Sequence, residues 1–222
     1  MISGTTQRTK RFGPLDIAYD DRVLEPRAWT LAQAEWAAAL LASCHQGPLL
    51  EICCGAGQIG LAAAALSGRP AVLVDASAAA CAFARRNAAA AGLTERVDVR
   101  QAPMTEAMAP EERFPLVLAD PPYIPSADTA VFPEDPLTAI DGGEDGLDLA
   151  RHCLEVGASH LAMGGHLLIQ LRDVAQAHRL AAESAAAAPG VLRQVDVRDF
   201  AGRGVVLHLR RTDGAPSPGV VS

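Results

Sequence analysis

The amino-acid sequence predicts an α/β fold built on a mostly parallel sheet that closes with an antiparallel hairpin. Two observations indicate this fold. Short apolar runs alternate with alanine-rich helical stretches along the 222 residues, which is typical of a parallel sheet covered by helices on both faces. The last two apolar runs have no helix between them, so we expect them to pair antiparallel. A hydrophobic fraction of 50% is enough for one substantial core.

Seven apolar runs predict the strands of this sheet: Leu49–Cys53, Ala71–Val74, Val97–Arg100, Leu116–Ala119, His166–Leu171, Val191–Val197 and Val205–Leu209. The stretches between them predict helices at Gln58–Ser67, Ser77–Ala91, Gly146–Ala162 and Val174–Ala187. An earlier helix is expected to begin at a capping box of Thr30 and Gln33 and to end near Cys44.

One domain is expected, because the chain shows neither an internal repeat nor a linker. Residues 1–19 form an N-terminal extension in this interpretation, with room for a short hairpin, and residues 20–212 form the domain. The last segment, 213–222, reads DGAPSPGVVS. We expect it to be a disordered tail, because exposed termini poor in large apolar residues are rarely ordered.

Composition excludes several classes of protein. The net charge of −7 and the scattered basic residues argue against a duplex-DNA partner, which requires a broad basic face. No uninterrupted apolar stretch has the length of a membrane span. The five cysteines form no CxxC pair and show no zinc spacing with the histidines. We therefore expect no metal site, no membrane, free thiols and a cytoplasmic location.

A glycine-rich turn follows the first predicted strand of the sheet. Gly55, Gly57 and Gly60 lie between that strand and the next helix, and Asp75 ends the following strand twenty residues after Gly55. Glycines allow a ligand to approach the backbone closely, and a carboxylate at this position can accept hydrogen bonds from ribose hydroxyls. The same spacing fits a nicotinamide cofactor, and it also fits a turn that binds nothing.

An Asp-Pro-Pro-Tyr segment follows the fourth predicted strand. The prolines restrict their own backbone and that of the residue before each of them, so Asp120 is held at the carboxyl end of a strand. The carboxylate of Asp120 and the carbonyl of Pro121 could orient the N–H groups of a planar amide or amine, with Tyr123 packed on the planar group. Methyl transfer from a sulfonium depends on such positioning. A rigid turn capped by Asp120 is the simpler alternative.

These segments in this order resemble the class I methyltransferases, and specifically the HemK/PrmC family of protein-glutamine methyltransferases. The resemblance runs from about Phe12 to Arg211. It includes VLEPRAWT before the first helix, EICCGAGQIG, VDAS, DPPYIP where the family has NPPYIP, DGGEDGLDLAR from Asp141 to Arg151, and DFAGRGVVLHLRR near the end. The chain is similar to short family members without the N-terminal helical domain.

The resemblance implies a three-layer, seven-stranded, Rossmann-like methyltransferase sheet and S-adenosylmethionine as the cofactor. It implies that residues 20–212 are the methyltransferase domain. The implied cofactor-binding residues are Glu51, Cys53, Gly55, Gly57, Asp75, Ala76, Ala102 and Asp120. The implied catalytic residues are Asp120, Pro121 and Tyr123, and the same three with Pro122 would hold the substrate. The expected substrate is a glutamine of a protein such as a peptide-chain release factor. Some short members of the family use a partner subunit, so a small protein partner is a candidate for this chain as well.

The sequence departs from the family pattern at positions that keep other functions open. Asp120 replaces the usual Asn, and an ionised Asp can only accept hydrogen bonds. An exocyclic nucleobase amine or a small-molecule amine is therefore an alternative acceptor. Cys53 replaces a glycine, and no acidic residue follows the third strand near Ala102, so adenine would be bound there by backbone groups. These two changes motivate a third hypothesis, a cofactor- or partner-binding subunit without catalysis. The carboxylates of DGGEDGLD could instead be solvated residues of a loop and helix cap.

Overall fold

The computed structural model describes residues 6–212, and within them the predicted sheet is confirmed. Nine strands are present: β1 Arg8–Phe12, β2 Leu15–Tyr19, β3 Leu49–Ile52, β4 Ala71–Asp75, β5 Val97–Gln101, β6 Phe114–Ala119, β7 Leu161–Leu171, β8 Leu192–Asp199 and β9 Val205–Arg211. The first two form an antiparallel hairpin, and the other seven form one sheet in the order β5-β4-β3-β6-β7-β9-β8. The tail from residue 213 lies outside the described residues.

Only β9 runs against the other strands of the large sheet. It lies between β7 and β8 and pairs antiparallel with both. The predicted C-terminal hairpin is therefore present, and its second strand is inserted next to β7 while β8 forms the edge. This arrangement covers β9, whose residues Val205–Leu209 are all buried, and it explains why that segment is a continuous apolar run.

Six helices are present within residues 6–212: α1 Leu31–Leu41, α2 Gln58–Ser67, α3 Ala78–Ala90, α4 Leu137–Ile140, α5 Asp148–His160 and α6 Val174–Ala187. One apolar core joins the sheet to α1, α2, α3 and the β1–β2 hairpin, and a second joins it to α5 and α6. Both faces of the sheet are thus covered by helices. Short 3-10 turns at Ala28–Thr30, Thr94–Arg96 and Ser126–Val131 complete the fold. None of the helices within residues 6–212 combines the length and apolarity that a membrane crossing requires.

The central strands place two loops side by side. β3 and β6 pair in parallel, with Leu50 opposite Val117 and Ile52 opposite Ala119. All four residues of β3 and all six of β6 are buried. Because parallel strands end at the same edge of a sheet, the glycine-rich turn after β3 and the Asp120 loop after β6 start next to each other.

The capping box predicted at the start of α1 is wrong. The Thr30 hydroxyl donates to the carbonyl of Arg27 instead of capping the helix. Gln33 is fully buried, and its Nε2 donates to the carbonyls of Ala119 and Leu168 at 3.2 and 3.0 Å. Gln33 therefore fastens α1 to the ends of β6 and β7, which is a tertiary role that local sequence cannot indicate.

Other boundaries differ by a few residues. Helix α1 ends at Leu41, before the predicted end near Cys44. Strand β7 begins at Leu161, inside the stretch predicted as helix, because α5 ends at His160 and the chain passes directly into the sheet. Two predicted helices, α2 and α6, begin and end at the predicted residues.

A buried histidine pair lies between β7 and β9. Nδ1 of His166 and Nε2 of His208 are 2.8 Å apart, and the His208 ring packs edge-on against Trp36. Nδ1 of His208 has no hydrogen-bond partner among the described residues. Burial, and then the neighbouring His166, lower the pKa of His208 to about 4. The folded protein therefore holds this ring neutral over a range in which the unfolded chain protonates it.

We expect stability to fall as pH decreases from about 6.5 to 4. The unfolded chain binds more protons than the folded one in this window, so the free energy of unfolding should fall by on the order of 2 kcal/mol from His208. His208→Gln should remove this dependence of stability on pH, whereas replacement of the exposed His178 on α6 by Gln should retain it. Urea unfolding at four pH values measures the difference in slope. Equal slopes for the two variants would contradict the assignment.

Candidate active site

The two neighbouring loops open into one cavity. Its volume is about 280 Å³, and it lies at the carboxyl ends of β3, β4, β5 and β6. Among the predicted site residues, the cavity is lined by Cys53, Gly55, Asp75, Ala76, Ala102, Asp120 and Pro122. The glycine-rich turn and the Asp120 loop therefore face the same space, which is the arrangement that joining a donor to an acceptor requires.

Glycine is needed at two positions of the turn after β3. Gly55 has a φ of +54°, and a Cβ built on it meets nothing within 4 Å, so the backbone here borders open space. Gly57 has a φ of +82° and begins α2, and its own Cβ would press on Leu61 and Ala84. Gly57 does not line the cavity. Its role is to complete the turn that places Gly55 at the surface of the cavity.

Cys53 adopts a φ of 58°, which is in the left-handed region that favours glycine. A side chain in this conformation costs about 1 kcal/mol. The residue lines the cavity, so the departure from the family glycine puts a thiol into the wall of the site. Cys54 is buried, and its N–H donates to the carbonyl of Val74 at 3.0 Å, which joins the turn to β4.

Glu51 was predicted to line the cofactor site, but its side chain lies beneath the turn. It is 1% exposed, and its Oε2 accepts a hydrogen bond from the N–H of Gly60 at 3.0 Å. A Cβ on Gly60 would collide with this carboxyl, so the third glycine allows β3 and α2 to approach closely. Burial raises the pKa of Glu51 well above its usual range, and Asp120 and Asp75 add to the effect. Glu51 does not line the cavity.

Asp75 is held in place by two backbone groups. Its Oδ2 accepts from the N–H of Gly55 at 2.9 Å, and its Oδ1 accepts from the N–H of Ser77 at 2.8 Å. Each oxygen keeps a further lone pair, and the residue lines the cavity. The carboxylate can therefore accept hydrogen bonds from a ligand without losing the contacts that orient it.

The expectation that the backbone at Ala102 would bind adenine is only partly met. Ala102 lines the cavity, but its N–H donates to the carbonyl of Asp75 at 3.2 Å. That N–H is consequently already used. The neighbouring Met104 offers an apolar, polarizable side chain to the same part of the cavity.

Asp120 directly follows β6 and lines the cavity, where it is partly exposed and makes no side-chain hydrogen bond within residues 6–212. Desolvation raises the pKa of its carboxyl from 3.8 to about 7. A charged carboxyl that is desolvated without a partner is unfavourable unless a ligand supplies one. This carboxyl is therefore a candidate for direct contact with a bound molecule.

The rest of the Asp-Pro-Pro-Tyr loop is held by the DGGEDGLD segment. A Cβ on Gly142 would lie 2.7 Å from the carbonyl oxygen of Pro122, and one on Gly146 would collide with that of Tyr123. Nε2 of Gln176 donates to the Tyr123 carbonyl at 3.0 Å. Pro122 lines the cavity, whereas Pro121 and Tyr123 do not. The glycines of DGGEDGLD thus shape the loop from behind.

The carboxylates of DGGEDGLD have structural partners. Asp141 accepts from the Ser126 hydroxyl at 2.6 Å and from the N–H of Gly143 at 3.0 Å. Asp145 pairs with Arg151, whose guanidinium lowers the pKa of that carboxyl to about 2. Both carboxylates therefore hold the loop through specific partners and are not merely solvated, as the simpler interpretation had them.

Sequence reasoning missed eleven of the eighteen residues that line the cavity. The missed residues are Arg22, Val23, Leu24, Gln58, Val74, Ser77, Ala80, Met104, Thr138, Ala139 and Leu149. Ser77 and Met104 follow predicted strands and could have been found from that position alone. Arg22–Leu24 and Thr138–Ala139 reach the cavity from distant segments that only tertiary packing brings there. Arg27 does not line the cavity; its Nη2 contacts both oxygens of Asp135 at 2.6 Å.

Comparison with known proteins agrees with this geometry. The family profile of the Methyltransferase small domain matches residues 33–133. The release factor glutamine methyltransferase of Gloeobacter violaceus is 36% identical over 169 residues, covering 73% of this chain and 59% of the relative. That of Deinococcus radiodurans is 34% identical over 209 residues, covering 91% and 72%. The ribosomal protein uL3 glutamine methyltransferase of Bordetella pertussis is 33% identical over 162 residues, covering 68% and 53%.

Solved structures share the fold at low sequence identity. The ribosomal protein L11 methylase of Lactobacillus delbrueckii subsp. bulgaricus superimposes with a TM-score of 0.62 at 16% identity, over 86% of this chain and 82% of that one. The chain spans about three fifths of the length of some of its relatives, such as that of Gloeobacter violaceus. The identity and coverage show the family: the chain belongs to the release factor glutamine methyltransferase family.

Proposed function

We propose that this chain is an S-adenosylmethionine-dependent N-methyltransferase that acts on the side-chain amide of a glutamine in a protein. The observation that carries the proposal is the shared cavity, in which the open backbone at Gly55 faces the same space as the unpartnered carboxyl of Asp120. Relatives named as release factor and ribosomal protein glutamine methyltransferases support the reaction class. Release factors and ribosomal proteins are accordingly the proposed substrates.

The residues present fit S-adenosylmethionine, the cofactor expected of this family. Gly55 leaves room for a ligand against the backbone, and Asp75 has lone pairs free for ribose hydroxyls. Oε1 of Gln58 is buried at the cavity and has no partner among the described residues, so it can accept from an ammonium group. When bound, the cofactor supplies an electrophilic methyl group on a sulfonium. The carboxylate of Asp75 lines the same cavity and favours such a cation.

Asp120 can serve an amide substrate because its pKa lies near neutrality. A protonated carboxyl donates through its hydroxyl and accepts through its carbonyl. It therefore offers a primary amide the same donor and acceptor as the asparagine usual in the family. The ionised form only accepts, and it suits an acceptor that presents N–H groups alone. A glutamine amide selects the neutral form, and an exocyclic amine selects the ionised form.

Two other functions follow from specific residues and remain to be separated by experiment. Methylation of a nucleobase or small-molecule amine is favoured by the acidic residue at position 120. A role as a non-catalytic subunit is motivated by Cys53, whose strained backbone stands where the family has glycine. A small partner subunit and a cytoplasmic location are also proposals. The five free cysteines are compatible with a reducing compartment.

We expect Gly55→Ala to weaken binding of S-adenosylhomocysteine by at least about tenfold. The new methyl group would project into the cavity from a residue with positive φ. Gly92→Ala is a matched control, because Gly92 has a φ of +68° and an equally open Cβ position but does not line the cavity. Both variants should lose about 1 kcal/mol of stability from backbone strain. Isothermal titration calorimetry should show the loss of affinity only for Gly55→Ala, and equal affinities would reject this cavity as the cofactor site.

Replacement of Asp120 by Asn should change the pH dependence of stability. The folded cofactor-free protein binds more protons than the unfolded chain between about pH 4 and 7, so the wild type loses stability as pH rises through this window. Asp120→Asn should therefore be more stable than the wild type by on the order of 2 kcal/mol at pH 8, by roughly half as much at pH 5 and by little below about pH 4. Denaturant unfolding measures this difference, with exposed Glu111→Gln as control. A constant difference across pH would show that the Asp120 carboxyl is not held neutral.

Methylation assays separate the proposed acceptors. With a release factor as substrate, mass spectrometry should find one added methyl group on a glutamine, at a rate that falls as pH rises through about 7. The Asp120→Asn variant should keep its glutamine activity above that pH. A rate that instead rises with pH, on adenine-containing nucleic acid, would favour the amine alternative. If the chain does not bind S-adenosylhomocysteine, the hypothesis of a non-catalytic subunit is favoured. The same titration with NAD tests the nicotinamide alternative.

A further inference from the structure

Three sulfur atoms from separate elements meet at one side of the cavity. Sγ of Cys53 lies 3.9 Å from Sγ of Cys153, and Sγ of Cys153 lies 3.8 Å from Sδ of Met104. Cys53 belongs to the turn after β3, Met104 to the loop after β5 and Cys153 to α5. Cys53 and Met104 line the cavity, and Cys153 is fully buried behind them. We refer to these three residues as the sulfur cluster.

Two sulfur–sulfur distances of the sulfur cluster, those from Cys153 to Cys53 and to Met104, match the spacing of ligands around one metal ion. Three sulfurs about 2.3 Å from a central ion are separated by about 4.0 Å in a trigonal plane and by about 3.8 Å at tetrahedral angles. Both measured sulfur–sulfur distances fall at these values. An ion could therefore be held with only small side-chain adjustments.

The chemistry of the donors selects the metal. Two thiols and one thioether are soft ligands, and a thioether is a ligand of Cu(I) rather than of harder cations. Among residues 6–212, no group of three or more His, Cys, Asp and Glu residues could complete a site for a metal that prefers those ligands. A soft monovalent cation satisfies this preference.

We propose that Cys53, Met104 and Cys153 form a Cu(I)-binding site in the wall of the cofactor cavity. Coordination replaces the thiol protons of Cys53 and Cys153, which leave to solvent, and forms two copper–thiolate bonds and one copper–thioether bond without a change of oxidation state. A disulfide between the two cysteines is a poorer fit. It requires the sulfurs to approach to about 2.05 Å, which would displace the turn that carries Gly55.

A bound ion would oppose cofactor binding. Cys53 and Met104 border the space assigned above to S-adenosylmethionine, so copper and cofactor should weaken each other by the same factor. This competition rests on the proposed function, whereas the metal site itself does not. Copper retention and methyl transfer are separate measurements, so failure of one proposal does not imply failure of the other.

The test is an anaerobic titration of the whole chain with Cu(I) in competition with the coloured chelator bicinchoninate. The wild type should withdraw about one Cu(I) per chain from the chelator, and withdrawal should weaken as S-adenosylhomocysteine is added. Cys153→Ala should lose this retention. Cys44→Ala is the control and should keep it, because Cys44 lies outside the sulfur cluster and its thiol donates to the carbonyl of Leu40.

Met104→Leu keeps the size of the side chain and removes the sulfur, so it should lower the Cu(I) affinity at least severalfold even if Cys153→Ala does not fold. X-ray absorption of the copper complex should show a shell of sulfur ligands alone. Retention of Cu(I) at wild-type affinity by both variants would overturn the proposal, as would a first shell dominated by nitrogen or oxygen.

Discussion

The parallel pairing of β3 with β6 is the constraint on which the site depends. Both strands are buried along their whole length, and Ile52 lies opposite Ala119 at their carboxyl ends. The residues that follow the two strands are Cys53 and Asp120, so the glycine-rich turn and the Asp120 loop leave the sheet side by side. A slip of register would separate them along the strand direction, and burial on both faces prevents such a slip because it would disturb the packing of two helical layers.

Buried amide side chains fix the loops once the sheet has placed them. Asn87 on α3 accepts from the N–H of Ala18 and donates to the carbonyls of Ala18 and Ala56, so it connects the N-terminal hairpin to the glycine-rich turn. Gln33 binds the carbonyl of Ala119 directly before Asp120. Gln176 binds the carbonyl of Tyr123 directly behind the same loop. Each of these amides pairs with backbone carbonyls near the site, and each lies on a helix from a different part of the chain.

Burial also sets the electrostatic character of the cavity. Burial raises the pKa of Glu51, whose carboxyl accepts a hydrogen bond from the N–H of Gly60 beneath the turn. Asp120 is desolvated without a partner, and its pKa rises to about 7. A side chain that differs from the family asparagine by one protonatable oxygen can therefore present an equivalent donor and acceptor. The sulfur atoms of Cys53, Met104 and Cys153 lie in the wall of the same cavity, because small apolar and thiol side chains pack between the turn and α5. Cys53, which stands where the family has glycine, thus adds a thiol to the wall of this cavity.

The sequence by itself determined the order of strands and helices, the C-terminal hairpin and the two loops of the site, because hydrophobic period, glycine and proline act locally. It also indicated that Asp75 and Asp120 face a ligand, since both end predicted parallel strands. Tertiary structure alone decided that Glu51 lies beneath the turn, that Gln33 anchors a helix instead of capping it, and that Arg22–Leu24 and Thr138–Ala139 close the cavity. These roles depend on contacts between residues far apart in the chain, and no local pattern encodes the distance between them.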